Sequence, residues 1–181
     1  DRLSGNAWRV ARNRPTLPPV QGYADHLTPL VLLALNTGLR RGELFDLTWA
    51  DVNFSAKQVT VRAETAKSGR TRHVPLNTEA LEVLKAWQKQ AAGDELVFPG
   101  AGGGRLTNIN KAWAGLLKAA GLVDLRFHDC RHDFASKLAM AGVDLFTIKE
   151  LLGHSDFAMT QRYAHLSPGH RAAAVDKLIR R

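Results

Sequence analysis

A change of hydrophobic period at Trp49 constrains this chain more than any other feature. Before it, His26 to Thr37 carries apolar residues at helical spacing and stops at Gly38, a residue type that commonly ends helices, and a short second helix is expected over Arg41 to Leu47. After it, "WADVNF", "QVTVRAE" and "RTRHVPL" alternate or cluster β-formers, separated by "SAK" and "TAKSG". That is the pattern of a small antiparallel meander, with Lys67 at a hairpin tip. The helical period returns over Thr78 to Ala92, where Leu81, Leu84 and Trp87 fall in register and Thr78 and Glu79 make the start. Further helices are expected over Thr107 to Ala120, His128 to Ala141, Asp144 to Leu152 and Ser155 to Ala164. A last one begins at Ser167-Pro168, with Ser as cap and Pro in the first turn. The expectation is an α+β fold, mainly α-helical, with a small three-stranded antiparallel sheet.

A length of 181 residues fits one domain with a sizeable core. Residues 1–20, with Arg2, Arg9, Arg12 and Arg14 ahead of "PTLPPV", read as a basic linker or arm, and residues 21–181 as the folded unit. The 25 Lys and Arg outnumber the 17 Asp and Glu, and the formal charge of +8 favours a polyanionic partner. The single cysteine excludes an internal disulfide framework and a multi-cysteine zinc site, which fits a reducing compartment and a cytoplasmic location. "LTPLVLLALNTGL" falls short of the roughly 18 apolar residues of a membrane span. The glycines of "FPGAGGGRLT" are not followed by Lys-Ser or Lys-Thr, so ATP or GTP use is not supported.

Four segments concentrate chemistry. In "FHDCRHDFASKLAMAG", His128, Arg131 and His132 crowd the start of a helix. A zinc site through the two histidines lacks a third ligand and the HExxH pattern, and a metal phosphohydrolase on His128-Asp129 lacks further ligands. Phosphate binding by Arg131 at a helix start, with His128 placed to move a proton, competes with a merely solvated basic turn. In "TGLRRGEL", Arg40 and Arg41 follow a glycine break and can fork onto phosphate oxygens or pair with Glu43. "AKSGRTRHVPL" sets Lys67, Arg70, Arg72 and His73 around one turn, where they can reach a leaving oxygen or touch DNA backbone. "LLGHSDFAMTQRYAHL" presents His154 in a turn and Tyr163 on the next helix. Such a tyrosine is ordinarily a half-buried core aromatic, and becomes a nucleophile only where neighbouring cations or a base favour loss of its proton.

These four segments, in this order, resemble the catalytic domain of the tyrosine recombinases, or phage-type integrases, over about residues 21–170. The resemblance implies Arg40, rather than Arg41, as the first phosphate-clamping arginine, with Glu43 in support. It implies Lys67 as the hairpin lysine that protonates the departing 5′ oxygen, His128 and Arg131 as the His-x-x-Arg pair, His154 as a phosphate ligand and Tyr163 as nucleophile. His128 would shuttle the tyrosine proton. Arg41, Arg70 and Arg72 are expected on DNA. The implied reaction cleaves and rejoins DNA strands through a 3′-phosphotyrosine, with no cofactor, metal or ATP. The implied partners are double-stranded DNA and, for a full-length protein, copies of itself in a synaptic tetramer; the isolated domain is allowed as a monomer, and no membrane is involved. Family architecture implies an N-terminal core-binding domain ahead of residue 21, and the helix after Pro168, with Val175, Leu178 and Ile179 on one face, docks either on a neighbouring protomer or on its own domain. Cys130 and Asp133 depart from the family pattern without touching the six catalytic positions. A type IB-like topoisomerase, a telomere resolvase, a DNA-binding module without catalysis and a metal-dependent nuclease are the alternatives.

Overall fold

The computed structural model describes residues 9–15, 22–91 and 93–167. The expected helix after Pro168 and most of the N-terminal arm lie outside these. Helix α1 (Leu27–Thr37) buries Leu30, Leu33 and Ala34 and ends at Gly38, whose φ is 63°. A short α2 (Arg41–Phe45) follows, then a 3-10 turn (Trp49–Asp51). That turn leaves only two residues for β1 (Val52–Asn53), which pairs with β2 (Gln58–Val61), and β2 with β3 (Arg72–Pro75), all antiparallel in the order β1-β2-β3. In β2 and β3 the period of two sends Val59, Val61 and Val74 into the core.

Helix α3 (Thr78–Gln90) is capped by Asn77, whose Oδ1 accepts from the Ala80 amide at 2.9 Å, one residue ahead of the expected start. α4 (Asn110–Ala120), α5 (Asp129–Met140) and α6 (Leu145–Leu152) follow the expected periods within a few residues, and Asp144 caps α6 through the Thr147 amide. The expected helix over Ser155 to Ala164 is shorter: α7 spans Ala158–Gln161 and a 3-10 turn spans Ala164–Leu166. Tyr163 therefore sits at the bend between two short turns, not along a helix face.

The buried side chains form two clusters. One joins α1, α2, the sheet and α3, from Leu30 through Phe98 to Phe127; the other joins α5, α6 and the Tyr163 bend through Ala135, Ala139, Ile148 and Leu152. α1 packs on α3 and on α5, so α5 spans the seam between the clusters. The candidate site lies on that seam.

Candidate active site

Arg40, Lys67, His128, Arg131, His154 and Tyr163 all line one cavity of about 580 Å³. Five separate segments deliver them: the loop after α1, the β2–β3 connection, the first turn of α5, the turn after α6 and the bend after α7.

Arg131 carries its charge at 3% exposure. It donates from Nη1 to the Gly38 carbonyl at 2.7 Å and from Nη2 to the Leu152 carbonyl at 2.6 Å, bridging the two clusters. Burial, then the neighbouring Arg40 charge, pulls its pKa down to about 9, while Glu43 pulls the other way. The guanidinium stays charged at neutral pH in a setting that favours an anion. Gly38 makes this contact possible: a Cβ there would lie 2.5 Å from Phe134 Cδ1, and its φ is left-handed.

Arg40 is held by Glu43. The carboxylate accepts from the Arg40 amide at 2.8 Å and from Arg40 Nη1 at 3.0 Å, in the way a glutamate in the first helical turn reaches back to the residue ahead of it. It also accepts both Nη1 and Nη2 of Arg72, at 3.0 and 2.7 Å. Burial alone would raise the Glu43 pKa, but the Arg72 hydrogen bond and charge, then those of Arg40, carry it below the usual value. Arg72, expected on DNA, is engaged internally: besides Glu43 it donates from Nε to the Leu151 carbonyl at 3.1 Å. Arg41 and Arg70 are exposed beside the cavity, as a DNA-facing role requires.

His154 is buried, with Nδ1 2.7 Å from the hydroxyl of Thr160, itself fully buried. Burial, then Arg131 and Arg40, pulls its pKa down to about 4, so the ring is neutral at pH 7. A neutral ring donates to an anion from Nε2 only in the tautomer whose Nδ1 accepts from Thr160. Thr160 was not singled out in the sequence; a threonine six residues after a histidine carries no signal of its own.

Tyr163 is 5% exposed, and burial raises its pKa, partly offset by Arg162 and Arg131. The hydrogen-bond partner of its Oη is His132, with Nδ1 at 2.6 Å, and not His128, which the sequence reading cast as proton carrier. His128 is exposed at the mouth of the cavity, its ring edge-on to His132 with centroids 5.1 Å apart. Burial, then the charges of His132 and Arg131, lowers the His128 pKa. In sequence His132 showed only as a partner of His128 for a zinc site. Among the described residues no three His, Cys, Asp or Glu side chains converge as metal ligands. Of the two departures, Cys130 is a core group whose thiol burial pushes up to about 11, and Asp133 pairs with Lys137 at 2.7 Å.

Residues 21–170 match the phage integrase family. The chain is 36% identical over 170 residues to the integrase of Salmonella phage P22, covering 86% of this chain and 44% of that protein. It is 37% identical over 169 residues to tyrosine recombinase XerC of Xanthomonas campestris pv. campestris, covering 90% of this chain and 50% of that protein. The chain thus spans about half the length of these curated relatives. The catalytic domain of bacteriophage HP1 integrase superposes with a TM-score of 0.63 at 28% identity, over 83% of this chain and 81% of that one. The Tn1549 transposon integrase, in complex with circular intermediate DNA, shares the fold at a TM-score of 0.70 and 20% identity, over 98% of this chain and 78% of that one. The architecture and the site define a tyrosine recombinase catalytic domain. This chain belongs to the phage integrase family.

Proposed function

We propose that this chain is the catalytic domain of a site-specific DNA recombinase that breaks and rejoins strands through a 3′-phosphotyrosine. The observation that carries the reading is one cavity in which a tyrosine hydroxyl, hydrogen-bonded to His132, shares the lining with Arg40, Arg131, Lys67, His128 and His154. Attack on a phosphodiester builds charge on the non-bridging oxygens. Arg40 and Arg131 grip that charge from two sides, and His154 donates to it from Nε2. Because Glu43 and the backbone carbonyls hold both arginines beforehand, little reorganisation is needed as charge develops. Tyr163 Oη bonds to phosphorus as the bond to the 5′ oxygen breaks, and the Lys67 ammonium protonates that oxygen. The phosphotyrosine keeps the ester linkage, so a 5′ hydroxyl of another strand can reseal it by the reverse steps without a nucleotide cofactor. Exposed Arg41 and Arg70 contact flanking DNA backbone, and a tetramer of full-length copies on DNA supplies the second strand.

The test is covalent capture on supercoiled plasmid in excess EDTA, followed by detergent denaturation. The wild-type protein is expected to yield protein-linked DNA, and Tyr163→Phe none. Free nicks that need an added divalent metal, with no adduct, would instead assign a nuclease.

A further inference from the structure

Phosphotyrosine chemistry leaves one proton unassigned, that of the Tyr163 hydroxyl, which must leave as Oη attacks. We propose that His132, through Nδ1, is the proton acceptor for Tyr163, an inference that rests on the function proposed above. Nδ1 lies 2.6 Å from Oη, within range for direct transfer. The approach is fixed from both sides. Tyr163 is packed into the cluster of Ala135, Ala139, Ile148 and Leu152, while His132 stands on α5 next to Arg131, in T-shaped contact with the His128 ring. Burial, then the Arg162 charge, keeps the His132 pKa below the ordinary imidazole value, so the ring is neutral at pH 7, and in the tautomer protonated at Nε2 its Nδ1 accepts from Oη.

The step balances. The Oη proton passes to Nδ1 and makes an imidazolium, Oη bonds to phosphorus, the bond to the 5′ oxygen breaks, and the Lys67 proton goes to that oxygen. Religation returns both protons. The new imidazolium forms beside the site of attack, so its charge also favours the phosphoryl oxygens. His128, at the cavity mouth, is left to meet phosphate.

The experiment measures the rate of Tyr163–DNA adduct formation by wild type, His132→Ala and His132→Asn, with DNA retention and thermal unfolding recorded for each. Asparagine can accept the hydroxyl hydrogen bond but cannot take its proton, so it separates the two roles. Both variants are expected to form the adduct about 10²–10⁴-fold more slowly, the usual worth of a positioned general base, while retaining DNA as wild type does. Added imidazole should recover part of the His132→Ala loss. A His132→Asn rate equal to wild type would overturn the proposal, since the histidine would then only hold the hydroxyl; so would a His132→Ala rate within a few-fold of wild type. If His132→Ala does not fold, His132→Asn decides the matter by the same criterion. Absence of any adduct from the wild-type protein would remove the phosphotyrosine reading itself, a different failure from that of His132.

Discussion

Glu43 is 3% exposed and answers two guanidinium groups at once, so it sets the position of Arg40 more firmly than a surface pair would. Arg72 gives it a fork of two parallel hydrogen bonds, which a lysine cannot reproduce. Neutralising the carboxylate leaves two buried or half-buried cations facing each other. Glu43→Gln should therefore cost about 3–5 kcal/mol, the range for breaking a buried ion pair from one side, read from the midpoint of urea unfolding. The pH dependence has a definite sign. The folded pKa of Glu43 lies below its unfolded value, so its stabilisation is present above the ordinary glutamate range and is lost as pH falls through the lowered folded pKa. Glu43→Gln should flatten that part of the acid limb; an unchanged limb would mean that another carboxylate governs it.

Among the elements, α1 and the turn that ends it show how a helix terminus becomes part of a site. Gly38 closes the helix with a left-handed residue and turns its carbonyl toward Arg131. Gly121 closes α4 with nearly the same φ, 66°, yet a Cβ there meets nothing within 4 Å. The pair separates conformational strain from crowding. Gly121→Ala should cost about 1 kcal/mol. Gly38→Ala should exceed it by about 1–3 kcal/mol, because the Phe134 ring must also move, and adduct formation should slow with it through Arg131. Equal losses in thermal unfolding would show that Phe134 yields freely. The same elements explain what was legible. The periods of α1, α3, α5 and α6 and the three strands read directly from apolar spacing, and the six residues that the motifs singled out line one cavity. No glycine or proline interrupts Ser155 to Ala164, so nothing in that segment marks the bend that aims Tyr163 into the cavity. The pairing of His132 with Tyr163, 31 residues apart, exists only once the turn at Ala164–Leu166 packs on α5. The Arg72–Glu43 fork likewise needs β3 laid against α6, where Arg72 also donates to the Leu151 carbonyl.

At the scale of the molecule, the two packed clusters meet along a seam lined by Arg40, Lys67, Arg126, Arg131 and Arg162, with Glu43 the carboxylate buried behind it. Folding brings these cations together, and burial, then the Arg40 charge, makes Arg131 lose its proton more readily than a free guanidinium. An anion that enters the cavity offsets this mutual repulsion, and it has no such site on the unfolded chain. Inorganic phosphate should therefore stabilise the fold by mass action: at ten times its Kd the gain is about 1.4 kcal/mol, a rise in Tm of about 3–6 °C for a chain of this size. The comparison is made against sodium chloride at equal ionic strength, which cancels general screening. Arg40→Gln is the informative control, since Arg72 remains to satisfy Glu43 and the fold keeps its buried carboxylate paired. That variant should lose most of the phosphate-dependent rise while unfolding near the wild-type temperature in chloride. A rise of equal size in wild type and Arg40→Gln would place the anion elsewhere on the basic surface and detach the stability of the fold from the cavity at its seam.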